Sequence, residues 1–261
     1  MSSRAAANER ARAQRLAQEQ SARAGERRRR RLWRLGAIVA LAAVVVIVAA
    51  LISRSGTKDT AATGSGVAGA SEVAALFAGI PQDGTVIGEP TAAVTLTEFA
   101  DLQCPFCAQF AEQSLATLVE RYVRPGRVRL DFRALTFLGA DSERAARVAA
   151  AAGRQDRLWQ FVDLFYRNQG QENSGYATDA FLRKIASAVP GLDVRRVMRE
   201  RDTPAVRQQL TAAKAQAQRL SIGSTPSFAI SRAGKAPRVL QVSALTADAF
   251  TGPLDEELRR R

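Results

Sequence analysis

The sequence predicts an α/β fold, a sheet carrying an inserted helical subdomain, behind a single N-terminal membrane span. Three observations predict it. Leu35 to Ile52 is 18 residues without a charge. Two alternating, β-prone stretches, Ala93 to Phe99 and Val128 to Phe132, flank a helical pattern. Asp141 to about Leu220 then reads as almost wholly helical before a closing hairpin. A length of 261 residues suits one domain of ordinary size with appendages.

The first 34 residues are polar and hold 11 Arg against 3 Glu, ending in the run Arg27 to Arg31. So few apolar side chains cannot bury a core, and disorder or a frayed helix is expected. The net charge of +13 lies mostly in this tail. That position speaks for membrane topology and anionic lipid rather than nucleic acid, since no recognition element accompanies it. At about 1.5 Å per residue, 35–52 extends roughly 27 Å, close to the hydrocarbon thickness of a bilayer. Trp33 stands at its edge, where amphipathic rings favour the interface. Arginines before the span place the N-terminus in the cytoplasm and everything after Ile52 outside. A cleaved signal peptide is the rival reading, although its apolar region is usually shorter, about 7 to 15 residues. Residues 53–70, rich in Gly, Ser, Thr and Ala, read as a flexible linker, and 71–261 as the folded domain.

Within that domain Ala93 to Phe99 reads as the first strand. Pro105 to Tyr122 reads as a helix, with Phe106, Phe110, Leu115, Leu118 and Val119 as its expected buried side. Pro105 suits the first turn, where its missing N–H costs nothing. Val128 to Phe132 is the second strand. In the helical block, Thr203-Pro204 marks a helix start, a capping hydroxyl followed by proline. Trp159, Phe161 and Phe165 are expected mainly in the core, because Leu158, Phe161, Val162 and Phe165 share a face; lining a substrate groove is the alternative. Ser227 to Ile230 and Arg238 to Val242 read as a hairpin turning near Gly234, followed by a short helix whose start Gly252 and Pro253 obscure.

The chain has two cysteines and no histidine. The missing His excludes Ser–His and Cys–His mechanisms and most catalytic zinc sites. Cys104-Pro105-Phe106-Cys107 is a C-x-x-C at a strand-to-helix junction. Cys104 would sit at the helix N-terminus, where the dipole and free N–H groups favour the thiolate that attacks a disulfide. Cys107, one turn further in, would be shielded and close enough to pair with it. Half of a zinc site needs ligands the chain lacks, and a disulfide closing so short a loop constrains the unfolded chain little. Unrelated free cysteines are a third duller reading, and all three stay open beside the redox one.

At these residues the sequence resembles the DsbA-like branch of the thioredoxin superfamily. Val94 to Cys107, VTLTEFADLQCPFC, is similar to that family's strand and motif, and the resemblance runs from about Gly79 to the C-terminus. It implies a thioredoxin-like fold with an inserted helical subdomain at about 141–220, and a cis-proline at Thr225-Pro226. The Thr225 backbone would pair with an extended client peptide. Pro105 and Phe106, the middle of the motif, complete the expected substrate-binding set. Glu98, six residues before Cys104, matches the family's buried acid. Its strand face is shared with Val94 and Leu96, so burial would raise its pKa and let it handle the Cys107 proton; a solvent-facing glutamate is the alternative. Members with His inside the motif stabilise the thiolate further. Phe106 cannot, so a less depressed Cys104 pKa and a weaker oxidant are expected.

The resemblance thus implies an extracytoplasmic thiol–disulfide oxidoreductase that forms disulfides in unfolded, exported, Cys-containing proteins. Its expected cofactor is none beyond a redox-active Cys104–Cys107 disulfide. A quinone-linked membrane partner of the DsbB or VKOR type would reoxidise it, and a monomer is expected. A reductase or isomerase of the same fold, or a non-catalytic peptide-binding chaperone, are the alternatives.

Overall fold

The computed structural model describes residues 66–260. The tail 1–34, the span 35–52 and most of the linker lie outside these residues. Among the described residues no helix is long and apolar enough to cross a membrane.

The folded unit begins earlier than composition suggests. Helix α1 (Ala70–Leu76) is already under way at residue 71. Val67 is buried, and Asn168 grips both backbone groups of Ala68, accepting from its N–H at 2.9 Å and donating to its carbonyl at 3.0 Å. The linker assigned to 53–70 is therefore docked over its last five residues. Their composition gives no sign of it, because the partner is 100 positions away.

A mixed sheet of six strands follows, in the order β1-β2-β4-β3-β5-β6. The short hairpin β1 (Gln82–Asp83) and β2 (Val86–Ile87) was not legible as strands; two residues each are too few for alternation to show. The central strand β3 (Val94–Ala100) runs parallel to β4 (Val128–Ala134) and antiparallel to β5 (Ser227–Arg232), which pairs with β6 (Arg238–Leu240). Because β3 is paired on both sides, its N–H and C=O groups are satisfied and almost every side chain is buried.

Helix α2 starts at Pro105 and continues to Val123, with π-helical turns at Ala111–Leu115 and Val119–Val123. Its Phe110 meets Phe228 of β5 and Phe250 of the last helix at ring separations of 4.8 and 5.1 Å. Such aromatic pairs add about 0.5–1.5 kcal/mol each beyond their burial. Phe106 corrects the expected buried side: it is 59% exposed. A helical residue is about 100° from its neighbour, so the turn that points Cys107 inward points Phe106 out.

The insertion comprises α3 (Ala140–Gly153), α4 (Leu158–Arg167), α5 (Asp179–Ser187), α6 (Val194–Glu200) and α7 (Pro204–Arg219). In α4 Trp159, Phe161 and Phe165 are buried, and Trp159 packs edge-on to Phe132 of β4. Pro204 does open α7, but the Thr203 hydroxyl donates to the Glu200 carbonyl at 2.7 Å instead of capping the new helix. Helix α8 (Ala247–Arg259) contains Gly252 and Pro253 in its interior and starts ahead of both. Burial of Phe250 and Leu254 against the sheet outweighs their poor helix propensity.

Candidate active site

The site lies where β3 passes into α2. Cys104 is the N-cap of α2, with extended backbone (φ −70°, ψ 119°), and Pro105 takes the first helical position. The Cys104 N–H donates to the Asp101 carbonyl at 3.0 Å, and its own carbonyl accepts from Cys107 and Ala108 at 3.1 and 3.2 Å. The two residues are thus one helical turn apart, and both are free thiols. Cys104 keeps 4% exposure while Cys107 keeps none, so only Cys104 is open to an outside reagent.

The Thr225-Pro226 bond is cis, and the Thr225 carbonyl accepts from the Cys104 thiol at 3.3 Å across 121 positions of sequence. Both residues are partly exposed beside the sulfur. Pro105 and Phe106, which follow Cys104 in the first turn of α2, are exposed.

The environment splits the two thiols. Cys104 is lowered to about 6, first by the hydrogen bond from the Cys107 thiol. Burial opposes this, and the Thr225 side chain and the N–H groups of Cys107 and Phe106 add to it. The last pair belong to the first helical turn, so the fold itself supplies them. Burial pushes Cys107 well up, and the Cys104 contact and the Glu98 charge push the same way.

Glu98 lies on β3 between Phe132 of β4 and Phe228 of β5, on the face shared with Val94 and Leu96. It is 5% exposed, and its Oε1 has no hydrogen-bond partner. Burial, then the charges of Cys104 and Asp163, raise its pKa to about 8. Asp163 of α4 is itself fully buried; burial raises its pKa although Arg167 pairs with it at 3.1 Å.

Several residues that hold the motif escaped the sequence reading. Asp101 is completely buried and accepts four hydrogen bonds through its carboxylate: Gln103 N–H at 2.9 Å, Ser142 Oγ at 2.5 Å, and the N–H groups of Phe137 and Leu138 at 2.7 and 3.0 Å. The Gln103 amide, also buried, donates to the Leu138 carbonyl at 2.6 Å and accepts from Asn173 N–H at 2.8 Å. From the insertion, Tyr166 donates to the Asp101 carbonyl at 3.3 Å, and Gln169 to the carbonyls of Leu102 and Cys104 at 2.7 and 3.3 Å. The Asp101–Gln103 contact is an Asx turn, a local signal the sequence does carry. The partners 35 to 70 residues away leave no such signal.

Comparison with known proteins agrees with this geometry. The model of the Thioredoxin family matches residues 81–236. A probable disulfide bond formation protein D of Bacillus cereus is 29% identical over 144 residues, 54% of this chain and 67% of that protein. The match spans about two thirds of the length of such curated relatives. Oxidised BdbD from Bacillus subtilis superposes with a TM-score of 0.60 at 20% identity, covering 69% of this chain and 98% of that one. A thioredoxin-like oxidoreductase from Silicibacter pomeroyi gives a TM-score of 0.54 at 27% identity, covering 72% and 98%. With its sheet, its C-x-x-C at the start of α2 and its inserted helices, the chain belongs to the thioredoxin family.

Proposed function

We propose that this chain is a protein disulfide oxidoreductase that forms disulfides in exported proteins through Cys104 and Cys107. One observation carries the reading: of two adjacent thiols, the one that reaches the surface has its thiolate stabilised, and its partner is buried and kept protonated. In the oxidised form a client thiolate attacks Cys104 Sγ. The S–S bond breaks, and Cys107 leaves as a thiolate and takes a proton. A second client thiolate attacks the client's sulfur in the mixed disulfide and releases Cys104 as a thiolate. Two electrons pass to the pair and the client gains a disulfide. Glu98, protonated up to about pH 8, would supply and recover the Cys107 proton. The Thr225 backbone, with Pro105, Pro226 and the exposed Phe106, would seat the client chain.

A stabilised thiolate favours the reduced enzyme and so makes its disulfide oxidising, which supports oxidase over reductase. The thiol of DsbA titrates near 3.5. A value of about 6 here suits a milder oxidant. The uncharged stretch 35–52 behind an Arg-rich tail supports a single-pass anchor with this domain outside. A quinone-linked partner of the DsbB or VKOR type would restore the disulfide within the same membrane, where tethering raises effective concentration.

Redox titration of the full chain against glutathione tests the direction. The oxidase reading requires a potential above the roughly −270 mV of thioredoxin; a value at or below it makes the protein a reductase. Cys107→Ser should trap client mixed disulfides at Cys104. Full activity of Cys104→Ala in cells would instead establish a non-catalytic binding role.

A further inference from the structure

A groove of about 340 Å³ opens between α3, α7 and the turn after β4. Leu135, which forms part of its floor, packs with Phe99 and Ala229, on the sheet face away from Glu98 and α2. Leu210 and the 48% exposed Phe137 complete an apolar lining. The rim is basic. Arg207 and Lys214 stand on α7 and Arg147 on α3, against the single acid Glu143. Arg147 is shared between Glu143 at 3.6 Å and Asp202 at 3.2 Å. Arg207 donates to the Asp202 backbone carbonyl, and neither it nor Lys214 pairs with a carboxylate among the described residues.

The groove is tied to the thiol site. Because β3 and β4 are parallel with Ala100 opposite Ala134, both sites emerge at the same end of the sheet. The Leu135 N–H donates to the Ala100 carbonyl at 2.8 Å, and the N–H groups of Phe137 and Leu138 bind the Asp101 carboxylate. Leu135 also packs with Ile222, in the segment leading to Thr225.

An apolar floor under two bases that have no carboxylate partner among the described residues complements an acidic segment bearing an apolar side chain. The chain's own tail has the wrong sign, with 11 Arg against 3 Glu. We infer that the groove binds acidic, apolar-containing client segments flanking the reacting cysteine, so that clients of this class are oxidised preferentially. The inference rests on the oxidase reading and deepens it by naming a client class. Charges at such a rim act mainly on encounter and selection.

The test uses the oxidised full chain and three dithiol peptides that differ only in an Asp/Leu, Gln/Leu or Lys/Leu flank. At low salt the acidic peptide should react about tenfold faster than the lysine peptide, the gap narrowing with added salt. Arg207→Glu with Lys214→Glu should reverse the order and leave the rate with dithiothreitol unchanged. Lys214→Glu alone should move the order the same way by a smaller factor. Equal rates for the three peptides, or a preference that survives both variants, overturns the inference. So does slowing toward dithiothreitol in step with the acidic peptide, or a wild-type dimer that Lys214→Glu dissolves. Fluorescence anisotropy of the acidic peptide with serine for each cysteine reads the groove without thiol chemistry. Binding that the variants abolish, with no peptide oxidised, keeps the groove and removes the oxidase reading.

Discussion

Cys104 and Cys107 are identical side chains that the surrounding backbone makes chemically different. Alkylation of reduced protein by iodoacetamide should follow a single titration at Cys104 with a midpoint near 6, and Cys107 should stay unmodified. The Cys107 thiol is the largest of the lowering influences, so Cys107→Ala should raise that midpoint by about one unit. A wild-type midpoint near the ordinary 8.5 would remove the basis for an oxidising disulfide. Glu98 works in the opposite sense. Folded, it holds its proton to about pH 8; unfolded, it releases it near 4.3. Between those values the folded state binds more protons, so this group makes stability fall as pH rises. Glu98→Gln should therefore stabilise the reduced protein by about 4 kcal/mol at pH 8 and by nothing at pH 4, read by urea unfolding at both. The same variant tests its role with Cys107: unchanged pH dependence of thiol exchange excludes the proton relay.

Among the elements, the junction of β3 and α2 depends on Asp101. One carboxylate joins this junction to the turn after β4 and to α3, in a place water does not reach. Asp101→Ala leaves four donors short of their acceptor, and a loss of about 2–4 kcal/mol in chemical denaturation is expected. A loss under 1 kcal/mol would mean that water replaces the carboxylate. Elements with several turns or a clear alternation were legible: β3, β4, α2 and the β5–β6 hairpin stand within a few residues of where period and proline place them. The β1–β2 hairpin was not, because two-residue strands have no period. Phe106 was misplaced because a helix's first turn carries no repeat from which to read its buried side.

For the molecule as a whole, the thiolate links redox state to folding. In the reduced protein Cys104 releases its proton at about 6 when folded and near 8.5 when unfolded. The unfolded state then binds more protons between these values, so stability rises with pH across that window and is lost as pH falls through 6. Relative to Cys104→Ser, the reduced chain should gain about 1 kcal/mol from pH 5 to pH 7 and about 3 by pH 8.5. A difference that does not vary with pH would show the thiolate to be unstabilised. The helical insertion shares in this, since Tyr166 and Gln169 hold the carbonyls around Cys104 in place.

The sequence alone determined the local chemistry: which residues can exchange electrons, that they open a helix, that Glu98 shares an apolar strand face, and that a helical block separates Cys107 from Pro226. Each follows from spacing within one element, where period and propensity act. Only the tertiary structure decided that the Thr225 carbonyl accepts from the Cys104 thiol, that Asp101 and Gln103 bear on the motif, that Asp163 lies near Glu98, and that Val67 belongs to the folded unit. Those facts depend on contacts between residues up to 121 positions apart. Burial and hydrogen bonding at that range arise only when the sheet and the insertion close on one another.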